Sequence, residues 1–228
     1  MKKNSPKKNL TDVKSKILHV SSKRTSVKTL TGKKNTNQKT TDFLFEVGML
    51  AKTPRSWSSF LGSGKQSVAE HINRVCYIGF ALANMSEGID SSKVLEMCLF
   101  HDLAEARVSD LNYVHQKYNK KDEKSAIKDL ASELSFGNKI IKILHVYETR
   151  ESYESKLAKD ADNLELILSL KEQIDIGNKR AESWITSAIK RLKTKEAQIL
   201  ANSIIKTDSD QWWFGDKSDK WWISRNKE

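Results

Sequence analysis

Helix-breaking residues are scarce in this chain, and their scarcity limits the possible folds more than any other feature. The 228 residues include only 9 Gly and 2 Pro. Leu, Ile, Ala, Lys and Glu dominate between residues 42 and 206, and these residue types favour helices over strands. A chain of this length can bury one sizeable core. We therefore expect an all-α fold, built as a single helical bundle.

The formal net charge of +11 is confined to the N-terminal end of the sequence. Residues 1–41 hold 12 of the 40 basic and one of the 29 acidic residues, which leaves 28 of each in the rest of the chain. This segment is poor in large apolar side chains, so it cannot offset the entropy cost of folding. The sequence therefore predicts a disordered basic tail (1–41) that binds polyanions weakly, a domain (42–206) and a Trp-rich extension (207–228).

Hydropathy and cysteine usage indicate a cytoplasmic protein. No run reaches the roughly 18 consecutive apolar residues that a membrane helix needs, and the basic N-terminus lacks the apolar core of a secretory signal. A mitochondrial leader is the alternative, disfavoured because Lys rather than Arg supplies the charge. Cys76 and Cys98 lie in apolar helical runs without a partner at ligand spacing. We expect both to be free, buried thiols.

Capping signals divide the domain into helices. Thr41 or Asp42 begins a first helix, 42–51, and a loop follows over 52–66. Ser67, with Glu70 three residues later, forms a capping box for a second helix that ends near Met85. A third helix is predicted from Ser91 or Ser92 through Val108, and further helices over 121–135, 137–149, 153–176 and 179–206.

Four tryptophans stand in two pairs near the C-terminus, at positions 212, 213, 221 and 222. Four exposed tryptophans would form an apolar patch that is rare on soluble monomers. We therefore expect them to pack against the helical core or against a second subunit.

Three sites in the predicted helices carry candidate metal ligands: His71, the pair His101 and Asp102, and Asp162. If the second and third helices form a hairpin near residue 88, the two histidines differ in height by about one helical turn, roughly 6 Å. Their imidazoles can therefore converge.

A charged cluster on an apolar helix needs a compensating partner. In a continuous third helix, Glu105 would lie beside His101 and Asp102 at spacings of four and three residues. An unpaired buried carboxylate costs several kcal/mol, whereas a divalent cation compensates two at once. Two imidazoles with two carboxylates suit Mn, Co, Fe, Ni or Zn rather than Ca.

Four segments together resemble the HD-domain phosphohydrolase superfamily, and most closely its 5'-deoxynucleotidase-like branch. They are PRSW at 54–57, SVAEH at 67–71, CLFHDLAEARVSDL at 98–111 and YETRESYESKLAKDAD at 147–162. The resemblance covers roughly residues 43–180 and implies a helical, metal-dependent enzyme. The corresponding metal ligands are His71, His101, Asp102 and Asp162.

The same resemblance implies roles for four further residues. Glu105 matches the acid that assists the attacking water, and Asp110 matches a second active-site acid. Arg55 and Trp57 match positions that meet the phosphate and the sugar of a nucleotide. Dimeric members of the family lead us to expect a homodimer.

Some features of the sequence leave alternatives open. The branch usually has a Gly-Asp-aliphatic-Pro turn, whereas Ser109 precedes Asp110 here and Asn112 replaces the proline. Asp160 competes with Asp162 as a ligand. The extra histidines His115 and His145 could serve a second metal in other branches, and we expect both to be structural here.

The leading hypothesis is hydrolysis of a (deoxy)nucleoside 5'-monophosphate. A deoxynucleoside triphosphohydrolase is the enzymatic alternative, because the same metal and acid can serve attack at the α-phosphorus. A non-catalytic, nucleic-acid-associated regulatory module that binds through the basic tail is the third.

Overall fold

The computed structural model describes residues 36–224, and it confirms the all-α prediction for this part of the chain. Apart from one isolated bridge between Pro54 and Ser67, the described residues contain no β-structure. A 3₁₀ turn covers Gly48–Ala51. The helices are α1 (Thr36–Val47), α2 (Ser58–Leu61), α3 (Val68–Asn84), α4 (Ser91–Phe100), α5 (Glu105–Val108), α6 (Tyr113–Tyr118), α7 (Glu123–Ala131), α8 (Gly137–Thr149), α9 (Tyr153–Asp175), α10 (Lys179–Ile189), α11 (Lys195–Ile204), α12 (Gln211–Phe214) and α13 (Lys220–Ser224).

Helix α9 is the centre of the bundle. It packs against α3, α4, α8, α10 and α11, and three of its leucines, Leu157, Leu164 and Leu170, are fully buried. Of its 23 residues 13 are buried, and polar and charged side chains are among them. Asp162 therefore lies on the central helix of the bundle.

The hairpin of α3 and α4 forms as predicted. Ser67 accepts a hydrogen bond from the Glu70 N–H, and the Glu70 carboxylate accepts one from the Ser67 N–H, which completes the capping box. Helix α4 begins at Ser91, one of the two predicted starts, and Asp90 is its N-cap. The two helices pack side by side.

The prediction of one helix from residue 91 through Val108 is wrong. Helix α4 ends at Phe100, a turn follows, and the short α5 begins only at Glu105. The His101 ring accounts for part of this geometry, because its Nδ1 lies 2.8 Å from the Cys98 carbonyl oxygen, where it can donate a hydrogen bond. After α5, Ser109 takes a φ of 61° and a ψ of 162°, a conformation that is strained for any residue except glycine.

Two other predicted boundaries shift. Helix α1 begins at Thr36, so the predicted boundary at residue 41 falls within it, and the rest of the predicted disordered tail lies outside the described residues. The predicted helix over 179–206 is divided into α10 and α11. The carboxylate of Asp160 accepts hydrogen bonds from the N–H groups of Lys193 and Thr194 and from the Thr194 hydroxyl, which fixes the loop between them.

The C-terminal tryptophans do not pack into this chain's core. Trp212 is 86% exposed, and Trp213 and Trp221 are about half exposed. They contact one another instead, with Trp222 lying 5.6 Å from Trp213 and 4.7 Å from Trp221 between ring centroids. Of the two predicted alternatives, packing against the chain's own core is not observed, and packing against a second subunit stays a prediction.

The expectations about membrane spans and cysteines can be compared with the described part of the chain. None of its helices is both long enough and apolar enough to span a bilayer. Cys98 is buried, Cys76 is half-buried, and both are free thiols as predicted.

Candidate metal centre and active site

The structure brings the four predicted ligands together. Nε2 of His71 lies 3.2 Å from Nε2 of His101, 3.4 Å from Oδ2 of Asp102 and 3.3 Å from Oδ1 of Asp162. Nε2 of His101 lies 3.2 Å and 4.0 Å from the same two carboxylate oxygens. Helices α3 and α9 and the turn after α4 supply these side chains. The predicted convergence of the imidazoles is therefore observed.

The hydrogen bonds on the outer side of each imidazole orient its Nε2 toward the cluster. Nδ1 of His71 lies 2.7 Å from Oε2 of Glu165, and Nδ1 of His101 lies 2.8 Å from the Cys98 carbonyl oxygen. Both partners are acceptors, so each Nδ1 carries the proton. In the neutral rings both Nε2 lone pairs then face the cluster, as metal-bound histidines require.

The donor set fits a divalent cation. Bonds of about 2.1 Å in a tetrahedral arrangement separate neighbouring donor atoms by about 3.4 Å, close to most of the distances between these atoms. Two lone pairs and two carboxylates facing one another repel unless a cation lies between them. Nitrogen and carboxylate donors together suit Zn, Mn, Fe, Co or Ni.

Glu165 supports His71 from behind and was not predicted from the sequence. It is fully buried, and its Oε1 accepts hydrogen bonds from Arg74 and from Gln66. Burial favours its neutral form, but His71 and Arg74 outweigh this and lower the pKa of Glu165 to about 2. The residue is therefore a permanent anion beside the His71 ring.

Trp57 is connected to the same network. Its Nε1 donates to Oε1 of Gln66, which in turn donates to Glu165. The ring lies against Gly64, where a Cβ would approach Cζ3 and Cη2 of Trp57 to 3.0 and 2.7 Å. Gly64 also has a φ of +85°, so both the backbone and the close contact require glycine here.

Arg55 lies among the acids of the site. Its Nη1 is 3.3 Å from Asp102, 3.1 Å from Asp110 and 3.9 Å from Glu105. Burial opposes its charge, but Asp102 and Asp110 raise the pKa of Arg55 above its usual value. Asp110 also accepts hydrogen bonds from the N–H and hydroxyl of Ser56, so it anchors the segment that carries Arg55.

Glu105 is buried close to the cluster but outside the four donors. Its Oε1 accepts a hydrogen bond from Lys121 at 2.9 Å, and its Oε2 has no hydrogen-bond partner among the described residues. Burial and the charges of Asp102 and Asp110 raise the pKa of Glu105 to about 8, although Lys121 lowers it. A carboxyl group of this kind can both accept and donate a proton near neutral pH.

A cavity of about 910 Å³ is lined by Asp102, Asp110 and Asp162, and α9 forms one side of it. The α9 residues that line the cavity follow one another along the helix: Lys156, Lys159, Asp160, Asp162, Asn163 and Leu166. The cavity thus has a basic end, the acidic cluster in the middle and an apolar end. Trp57 and Arg55 line it from the opposite segment.

The basic end carries more positive charge than its neighbours neutralise. Lys159 donates to Asp162 at 2.7 Å. Arg150, Lys156 and Lys193 also line the cavity, and none of the three is within salt-bridge distance of a carboxylate in the described part of the chain. The guanidinium of Arg150 stacks 3.6 Å above the Tyr147 ring.

Three other candidates from the sequence lie outside the cluster. The Asp160 carboxylate is used by Lys193 and Thr194, so the preference for Asp162 agrees with the geometry. His115 and His145 are exposed at the surface. Glu165, Lys121 and Lys159 were not predicted from the sequence. Of these, only Glu165 has a recognisable signal, because it is a lone acid in the apolar run NLELIL.

Comparisons with known proteins identify relatives of this chain. A family model for the HD domain matches residues 47–204. The 5'-deoxynucleotidase HDDC2 of Danio rerio is 29% identical over 143 residues, which are 60% of this chain and 70% of that protein. The protein of the same name from Bos taurus is 30% identical over 143 residues, 60% and 69% of the two chains.

The fold is also similar to solved structures. A conserved hypothetical protein from Pyrococcus furiosus is 28% identical and superimposes with a TM-score of 0.64, over 73% of this chain and 99% of that one. A protein from Pyrococcus horikoshii OT3 is 27% identical with a TM-score of 0.62, over 73% and 98%.

Proposed function

Because this chain belongs to the HD domain family, we propose that it is a metal-dependent phosphohydrolase that removes the phosphate of deoxynucleoside 5'-monophosphates. The observation that carries the proposal is the convergence of two imidazoles and two carboxylates. Both carboxylates and Arg55 line the cavity, and Glu105 lies 3.9 Å from Arg55. The relatives named 5'-deoxynucleotidase support the substrate class.

His71, His101, Asp102 and Asp162 would hold the cation. A bound Zn, Mn, Co, Fe or Ni ion would polarise a phosphoryl oxygen and acidify water there. Glu165 keeps the His71 Nε2 lone pair directed into the site through the bond to Nδ1. Lys159 binds Oδ2 of Asp162 at 2.7 Å, which leaves Oδ1 directed at the two imidazoles.

Glu105 and Arg55 perform the chemistry that the protein itself supplies. Glu105 takes the proton of the water whose oxygen forms the new bond to phosphorus. The ester bond breaks, and the 5'-oxygen leaves with the bonding electron pair and takes up a proton to become the hydroxyl of the nucleoside. Arg55 neutralises negative charge on the phosphoryl oxygens. Asp110 holds the Arg55 segment in place, and Trp57 forms the adjoining wall on which the sugar rests.

A substrate panel tests this function. Phosphate release from ribo- and deoxynucleotides at each phosphorylation level is measured with several divalent metals, with Asp102→Ala as the control. We expect the highest catalytic efficiency with deoxynucleoside monophosphates and no release by the variant. Activity without added or retained metal, or activity of the variant equal to wild type, would refute the proposal.

The unpaired cations at the basic end favour a second candidate, a deoxynucleoside triphosphohydrolase. Arg150, Lys156 and Lys193 could bind phosphates beyond the one that is attacked. The same panel distinguishes the two functions by product: the monophosphatase releases inorganic phosphate, and the triphosphohydrolase releases tripolyphosphate.

We also propose that the chain forms a homodimer through its C-terminal aromatic side chains. The exposure of Trp212, Trp213 and Trp221 supports this, because grouped exposed aromatics usually mark a contact surface. Sedimentation of the chain with and without residues 210–228 tests it. The full chain is expected to be dimeric and the truncated chain monomeric. The same oligomeric state for both chains would exclude this interface.

A further inference from the structure

The apolar end of the cavity contains an aromatic cluster that the proposed chemistry does not use. Phe60 from α2, Tyr113 from α6 and Trp184 from α10 all line the cavity. Their ring centroids are 6.5 Å apart for Phe60 and Tyr113, 6.0 Å for Phe60 and Trp184, and 6.1 Å for Tyr113 and Trp184. We refer to these three residues as the aromatic wall.

Leu166 relates the aromatic wall to the proposed metal site. This residue lies one turn after Asp162 on α9, about 6 Å along the helix axis. It lines the main cavity, and with Tyr113 and Trp184 it also lines an adjoining depression. The cavity therefore continues from the acidic cluster past Leu166 to the aromatic wall, and the axial step of about 6 Å from Asp162 to Leu166 is about the length of the sugar that separates the 5'-phosphate from the base in a nucleotide.

Tyr113 is available for a further stacking contact. Its ring is stacked on Phe60 at an interplanar angle of 26°, yet 54% of the residue is exposed. Arg191 donates a hydrogen bond to the Tyr113 hydroxyl at 3.2 Å and steadies the ring. A fixed, half-open aromatic ring inside a cavity can stack on another flat ring, and every nucleobase offers such a face.

We propose that the aromatic wall is the subsite for the nucleobase, and that it binds purine and pyrimidine bases alike by stacking on Tyr113. This inference rests on the proposed function, because it places the base relative to the attacked phosphate. Stacking tolerates all four bases, so the subsite would hold the base in place without selecting one.

Equilibrium binding of 2'-deoxyadenosine to the metal-loaded full chain tests the proposal, with deoxyribose as the base-free ligand. Tyr113→Ala is expected to weaken nucleoside binding about tenfold, within the range seen when a stacking ring is removed. Tyr113→Phe keeps the ring and should restore binding. Tyr118→Ala is the matched control, because Tyr118 is on the same helix, is 75% exposed and is not among the cavity residues.

The nucleoside carries no phosphate, so its binding does not depend on turnover. The proposal is supported if Tyr113→Ala weakens nucleoside binding, deoxyribose does not bind measurably, and KM for a deoxynucleoside monophosphate rises with little change in kcat. It is overturned if wild type does not bind the nucleoside, or if Tyr113→Ala binds it as tightly as wild type. Tyr113-dependent binding without any phosphate release would refute the proposed function and leave the base subsite intact.

Discussion

Glu105 is a buried acid of the site whose Oε2 has no hydrogen-bond partner among the described residues. We expect Glu105→Gln to keep the metal and to lower kcat about a hundredfold or more, since proton transfer is lost while the four donors remain. Metal analysis and steady-state kinetics on the same preparation measure both effects.

The control for this variant is Glu123→Gln. Glu123 is half exposed and lies 3.7 Å from the same lysine, Lys121, so the substitution changes the charge around Lys121 without altering Glu105. It should leave kcat unchanged. Loss of metal in Glu105→Gln would instead assign Glu105 to the coordination sphere.

Glu165 is the buried anion on which the orientation of His71 depends. Removing it in Glu165→Ala leaves the His71 Nδ1 proton and part of the Arg74 charge without a partner. We expect metal affinity to fall about 10- to 100-fold and the free energy of unfolding to fall by about 3 kcal/mol. Metal titration and denaturant unfolding provide the two measurements.

Glu172→Ala is the matched control, because Glu172 pairs with the same Arg74 but is half exposed. It should cost about 1 kcal/mol or less and leave metal affinity unchanged. Equal effects of the two variants would mean that Glu165 acts only through Arg74.

Site residues could be predicted from the sequence when their own side chains indicate a metal ligand, and not when their role depends on tertiary contacts. His71, His101 and Asp102 could be chosen because imidazoles and carboxylates on apolar helices need a common partner, and the family resemblance favoured Asp162 over Asp160. Glu165 could not be predicted, because its role in orienting His71 depends on contacts with residues more than 90 positions earlier in the chain. No local pattern specifies such a pairing.

Among the helices, the connection after α5 contains the strained Ser109. With φ 61° and ψ 162° this residue occupies a region that glycine alone tolerates well. We expect Ser109→Gly to raise the free energy of unfolding by about 1 kcal/mol, which corresponds to an increase in Tm of about 2–4 °C. Ser109→Ala should bring no such gain, and a lower Tm for the glycine variant would show that Ser109 is not strained.

Helix starts were predicted better than helix breaks. The capping box at Ser67 depends on residues three positions apart, so the sequence contains all of its information. The break after Phe100 and the loop before Thr194 depend on tertiary contacts, the latter on hydrogen bonds to Asp160 more than 30 residues away. The prediction from sequence periodicity therefore merged pairs of helices that are separate in the fold.

In the whole sequence, the excess charge and the cavity residues belong to different segments. Residues 1–35 hold 11 basic residues and one acidic residue, whereas the cavity residues in the described part of the chain all fall within 55–193. We expect deletion of 1–35 to leave kcat/KM on small nucleotides unchanged, because none of these cavity residues is removed and charges more than about 8 Å apart are screened at physiological salt. Binding to a polyanion such as heparin should be lost.

The measurements are steady-state kinetics and heparin binding for the full and the shortened chain. Binding of the full chain should also weaken as salt increases. A large fall in kcat/KM after deletion would mean that the N-terminal segment contributes to the active site.

The most direct test of the metal centre compares two neighbouring aspartates. Metal content and phosphate release from a deoxynucleoside monophosphate are measured for wild type, Asp162→Asn and Asp160→Asn. We predict that wild type retains metal and loses activity on chelation until metal is restored, that Asp162→Asn retains neither, and that Asp160→Asn retains both with a lower Tm. A metal-loaded, active Asp162→Asn, or wild-type activity that is indifferent to chelation, would contradict the assignment of this centre.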